Sequence, residues 1–316
     1  MDYPKSVPSV GLVGGKFVDE DPLAGTPGSL IPSQWGNGVT DELLNVITAA
    51  GLVPDELLNT QLLTALRSIS RGIIGASSNV AMTIAGSASA SGTMTADQII
   101  VGTALNGLQY SLSSFNKTVK LDSVGAGGMD VGAAPVSGYV ALYAIYNPTT
   151  KVSALLAVNA TAVLAPTIYA GANMPAGYNA SAFVGVWPTN ASGQFVIGRI
   201  RNRSFQYTSG IGLTVVSRVT NQVSPLAVSL AGACPINALT CSGTLNGSSS
   251  TATTIATAVS TDSGQGDQQQ ATIAGATQII GSFRDLLIAT PQQMSYTVQA
   301  LAGTPSFVIN VTKYGF

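Results

Sequence analysis

The sequence predicts a mainly β protein: a short N-terminal helical hairpin, a β-rich connector and a distal antiparallel β-sandwich. Three observations lead there. From about Val119 apolar residues recur with period two, as in QFVIGRIRNRSFQY, GLTVVSRVT, MSYTVQAL and SFVINVTKY. Turn residues such as Asn147-Pro148 and Ser192-Gly193 separate many of these runs. Helical spacing, by contrast, is clearest between residues 29 and 71.

Three segments follow: 1–72, 73–118 and 119–316. Residues 1–28 hold short apolar runs, VGLVGG and KFV, among Gly and Pro, and read as an extended arm with one hairpin. In the first helix Trp35, Val39, Leu43, Val46, Ile47 and Ala50 share a face, with Asp41 and Glu42 opposite. Pro32 suits its first turn and Gly51 is a natural stop. A second helix is expected from about Asn59 to Arg71, striped by Leu62, Leu63, Leu66 and Ile69 and capped by Asn59 or Thr60. Two such helices bury too little to stand alone, so they need a partner.

Residues 73–118 are full of Ala, Ser, Gly and Thr and lack a leucine seam, which argues against a coiled coil. They read as a flexible linker or as short strands pairing between chains. In SGYVALYAIYN both alternating sets are apolar, so that strand is buried on both sides, most simply by a neighbouring subunit. Residues 242–275 form a low-complexity tract, expected as long surface loops around one or two polar strands.

Composition bears on partners. Apolar residues make up 46% and charged residues 9% of the 316 positions, far below the usual quarter charged, so an oligomer that shares apolar surface is expected. Residues 1–60 carry eight acids against two lysines, while the remainder holds six acids and eleven bases. An acidic head on a mildly basic body suits two different partners. The bases are spread without interleaved aromatics, which speaks against nucleic acid. No apolar run reaches the length of a membrane-spanning helix, and MDYPKSVPSV lacks the features of a secretory signal, so synthesis and assembly are expected in the cytoplasm. Cys234 and Cys241 read as two reduced, packed thiols or a local bridge, and without histidine they cannot complete a zinc site.

The N-terminal run resembles the attachment segment of tail-fibre proteins from tailed bacteriophages and prophages of Gram-negative bacteria. The residues behind this are GTPGSLIP, Trp35-Gly36-Asn37, Asp41-Glu42, Ala50-Gly51-Leu52, Pro54-Asp55 and Asn59-Thr60-Gln61-Leu62. In the body ALYAIYNPTT, ALLAVNAT, GANMPAGY, WPTNASGQF and FVIGRIR look like β domains of similar phage tail proteins. The resemblance implies a homotrimeric fibre in the virion. Its N-terminus would be fixed to baseplate or tail-tip proteins through Trp35, Asn37, Asp41, Glu42, Leu43 and Leu62, and its distal end would touch a host surface glycan such as lipopolysaccharide.

The chemistry-bearing residues fit adhesion better than catalysis. The chain has no histidine, and after residue 72 its acids are Asp97, Asp122, Asp130, Asp262, Asp267 and Asp285, a thin basis for a paired-carboxylate depolymerase. No metal site or cofactor is expected: DSGQGDQQQ lacks the alternating ligands of a calcium loop, and GAGGMDVG has no following Lys-Ser/Thr for phosphate. Arg199, Arg201 and Arg203 alternate, so on a strand they point one way, either to grip phosphate or carboxylate or as a solvated or inter-subunit face. Tyr169, Tyr178 and Trp187 suit a sugar by type and a core equally well, and Tyr178 is taken with the arginines as the receptor-binding set. A structural baseplate component without receptor binding is the alternative from a different class.

Overall fold

The structure, a computed structural model, describes residues 3–23, 25, 27–69, 72–208 and 212–316. The chain divides into two compact units, Met1–Arg71 and Gly72–Phe316.

In the first unit the arm closes into a hairpin at Gly14-Gly15. Val13 and Lys16 exchange both backbone bonds at 3.0 and 3.1 Å, and both glycines take positive φ, as a two-residue turn of this kind requires. Ser29 holds the arm's strands, its hydroxyl donating to the Gly11 carbonyl and accepting from the Val18 amide. Helix α1 spans Ser33–Ala49, with Pro32 in the extended N-cap position and not inside the first turn. Gly51, at φ +76°, ends it: the amides of Gly51 and Leu52 bond back to Thr48 and Ile47.

Helix α2 spans Gln61–Ile69; its expected end at Arg71 and the side chain of Ile69 lie outside the described residues. Its inward residue is Ala65, while Leu63 and Leu66 are 51% and 52% exposed. The expected four-residue stripe is thus rotated. Leu62 and Ala65, three apart, share the inner face, and the bulkier leucines lie outside it.

The second unit is mainly β and antiparallel. Its strands are β1 Ser77–Ser78, β2 Ala81–Ile84, β3 Ser91–Gly102, β4 Gln109–Lys120, β5 Tyr139–Asn147, β6 Val152–Asn159, β7 Ala180–Pro188, β8 Gly198–Arg201, β9 Ser204–Tyr207, β10 Leu213–Arg218, β11 Gln222–Ser229, β12 Thr240–Ser260, β13 Gln269–Leu287, β14 Gln293–Ala300 and β15 Pro305–Gly315. All fifteen join one hydrogen-bonded network with the path β11-β14-β12-β15-β9-β8-β2-β3-β7-β5-β6. The remaining strands hang from it, β1 and β4 on β3, β10 on β15 and β13 on β12.

Three expectations change here. Residues 73–118 are neither a linker nor strands reserved for another chain. They form β1–β4 and pair within the chain, because Met94, Ala96, Ile99 and Val101 point inward while Thr93, Thr95 and Gln98 make a polar outer face. Strand β5 is buried on both sides without a neighbouring subunit. On one side Tyr143 packs edge-on against Tyr169 and Phe183, and the adjacent β7 packs on β9 and β15. There the Trp187 ring lies 4.9 Å from Phe205, and Gly185 lets Ile200, Met94 and Phe316 approach.

The third change is the low-complexity tract, which forms most of β12 and the start of β13, the two longest strands. Its small residues allow close approach: a Cβ at Gly243 would strike the Asn310 carbonyl and the Phe283 ring. The register breaks between Ser248 and Ile255, and the ribbon doubles back there. Gly281 then faces Ala271, and the Gln269 amide bonds both the N–H and the C=O of Arg284, 2.8 and 2.9 Å away. A side chain thereby takes the place of a strand along part of the β13 edge.

Candidate functional site

The first unit presents an apolar cleft. A cavity of about 510 Å³ is lined by Leu43, Leu44, Ile47, Pro54, Leu58 and Leu62, with Asp55 and Glu56 at its edge. Gln61 fixes the loop beside it, accepting from the Asp55 amide at 2.8 Å and donating to the Val53 carbonyl at 2.7 Å. Of the residues expected in attachment, Leu43 and Leu62 line this cleft. Trp35 packs at 5.1 Å on Phe17, which packs on Tyr3, so it ties helix to arm. Asn37, Asp41 and Glu42 are exposed. Among the described residues the first unit buries four apolar side chains, Pro4, Val10, Ile47 and Ala65, and exposes eleven large ones. That ratio leaves it without a core of ordinary size.

In the second unit the arginine row is broken. Arg199 and Arg201 project together from β8, but Arg203 sits in the β8–β9 turn after Asn202, whose φ is +52°. Its guanidinium lies 5.7 Å from the Phe183 ring centre and donates to the Phe183 carbonyl, and burial lowers its pKa. Alternation predicts three parallel arginines; the strand holds two of them, and the hairpin turn removes the third. Tyr178 lies partly buried against the core in the β6–β7 connection. Trp187 is fully buried with its indole N–H on the Val196 carbonyl, and Tyr169 is also buried.

Tyr169 nonetheless borders a cavity of about 260 Å³, with Asp130, Tyr143, Asn159, Val163 and Leu164 among its lining. The Tyr169 hydroxyl donates to Asp130 Oδ2 at 3.0 Å and accepts from the Asn173 amide. Burial raises the Tyr169 pKa, and Asp130 adds to it; burial likewise raises Tyr143. The wall formed by residues 160–171 is tethered at several points. Tyr143 donates to the Pro166 carbonyl, the Asn237 amide pairs with both backbone groups of Ala165, Thr167 accepts from Phe183, and the Tyr169 amide donates to Ser181. Asp130 reaches this place from GAGGMDVG, where its own amide bonds Ala157. Sequence reading did not single it out as a binding residue, and the only signal was a lone acid inside a glycine-rich turn.

A second cavity, of about 480 Å³, lies beside Tyr139, Thr189 and Tyr207, whose hydroxyls donate to the carbonyls of Ala231, Pro135 and Ala233. Elsewhere Asp97 accepts from Asn79, Asp262 accepts from the Gly266 amide, and Asp285 pairs with Lys313 at 3.4 Å. Among the described residues no three Cys, Asp or Glu side chains gather as a metal-holding group, and no helix is long and apolar enough to cross a membrane. Cys234 and Cys241 are free and buried. The contact with Cys241, followed by burial, pushes the Cys234 pKa up.

No protein-family model matches the chain, and no curated protein matches it in sequence.

Proposed function

We propose that this chain is a homotrimeric phage tail fibre that attaches the virion to a Gram-negative cell surface without catalysis. The helical hairpin of the first unit docks on a baseplate or tail-tip protein, and the β unit meets a surface glycan such as lipopolysaccharide. One observation supports this reading most: among its described residues the first unit exposes eleven large apolar side chains and buries four apolar ones, beside an acid-edged apolar cleft. A unit so short of core gains its stability from a partner, and the cleft suits an apolar segment flanked by basic residues. The sequence resemblance supplies the identity of that partner class. Repeated fibres on one particle turn weak glycan contacts into firm adhesion.

Removing the coding sequence for residues 72–316, the whole second unit, tests this reading. Particles that assemble but fail to adsorb are the expected outcome, and loss of assembly would make the chain a structural component. Incubation of the purified protein with host polysaccharide is expected to leave the polymer size unchanged.

A further inference from the structure

We propose that the cavity between Asp130 and residues 160–171 is a subsite for one pyranose ring, an amino sugar whose ammonium group rests on Asp130. The proposal rests on the adhesion reading for its biological setting, but its chemistry comes from the cavity.

Charge is the first argument. Asp130 Oδ2 accepts from the Tyr169 hydroxyl and Oδ1 from the Val131 amide at 2.9 Å, both neutral donors. A carboxylate offers about four lone-pair positions, so further donors can be accepted at the cavity wall, and a cation there gains most. Shape is the second. At about 260 Å³ the space falls just below the usual range for small-molecule sites, roughly 300–1,000 Å³, and matches one ring better than a chain of sugars. The third is the mouth, where Val163 and Leu164 stand 66% and 59% exposed and face the ring's C–H groups. The fourth is rigidity. Ala165, Pro166, Thr167 and Tyr169 are each bonded to the body, so the wall is formed before a ligand arrives and little ordering entropy is lost on binding. An acidic sugar is excluded by repulsion from the carboxylate.

Saturation-transfer NMR on the full chain, with methyl glucosaminide, methyl glucoside and methyl glucuronide as probes, tests this. The glucosaminide is expected to bind at least tenfold more tightly than the glucoside, and the glucuronide to give no signal. Asp130→Asn, which keeps an acceptor for Tyr169, should bring the glucosaminide down to the glucoside level. Leu164→Ser, an exposed position, should weaken both, with the urea midpoint of each variant confirming an intact fold. Equal binding of the three probes, no binding at all, or affinities unmoved by both substitutions would overturn the subsite. Adsorption of the wild-type protein to Gram-negative cells separates the two ideas. Cell binding without glycoside binding sinks the subsite and leaves adhesion standing, whereas glycoside binding confined to the cavity without cell binding sinks adhesion alone.

Discussion

Strands β5 and β7 and the ribbon of β12 and β13 are both antiparallel, yet they are held by different forces. The first pair is apolar on both faces and packs rings: Tyr143 on Tyr169, Trp187 on Phe195 and Phe205. The ribbon is rich in Ser, Thr, Gly and Ala; it buries single apolar side chains such as Leu245, Ile255 and Phe283 between small residues, and relies on backbone pairing and on the absence of side chains at Gly243, Gly247 and Gly281. Two physical routes thus lead to a strand, burial of large surface and close approach of small residues, and only the first is loud in a sequence.

The largest test of the contrast is alkaline pH. Tyr139, Tyr207 and Tyr314, all buried and none in the ribbon, have pKa values raised by burial. The unfolded chain releases these protons near pH 10 while the folded one retains them, so stability is full below about pH 9 and falls as pH rises beyond 10. Each group contributes about 1.4 kcal/mol per pH unit in that window, and urea midpoints between pH 8 and 11 measure it. Next comes Trp187→Ala, which removes a fully buried indole and its bond to Val196 and should cost about 3–5 kcal/mol by urea unfolding.

On the ribbon side, Gly243→Ala drives a methyl into the Asn310 carbonyl and the Phe283 ring, for a loss of roughly 1–3 kcal/mol. A cost near zero would mean that close approach is not what holds β12 to β15. Gln269→Ala should cost about 1 kcal/mol and speed hydrogen exchange at the Arg284 amide, because that edge then faces water. The smallest effect carries the opposite sign. Thr257 is buried and its hydroxyl finds no partner among the described residues, so Thr257→Val should stabilise by about 0.5–1 kcal/mol in the same assay.

Much of the fold was legible for the first route. Period-two runs located β8, β9, β14 and β15, the double apolar set in SGYVALYAIYN marked a strand buried on both sides, and Gly51 marked the end of α1. The cover over β5 was not legible as intrachain, because no local pattern tells which distant segment returns to a face. The ribbon was legible as one or two polar strands but not as two long ones, because serine and threonine are common to loops and strands, and the inward positions of β12 include glycines that carry no hydropathy signal. Within the site residues, alternation gave Arg199 and Arg201 correctly but could not foresee that Asn202 would take positive φ and turn Arg203 away. Asp130 escaped notice because its neighbours in space, Tyr143 and Tyr169, come from two other segments.

The sealed sulfurs provide a built-in clock. Cys234 and Cys241 are shut away from water, and Cys234 is held in its unreactive protonated form, so a maleimide can label them only when residues 230–241 come loose. With no other cysteine in the chain, the rate of labelling counts those excursions directly, without any engineered probe.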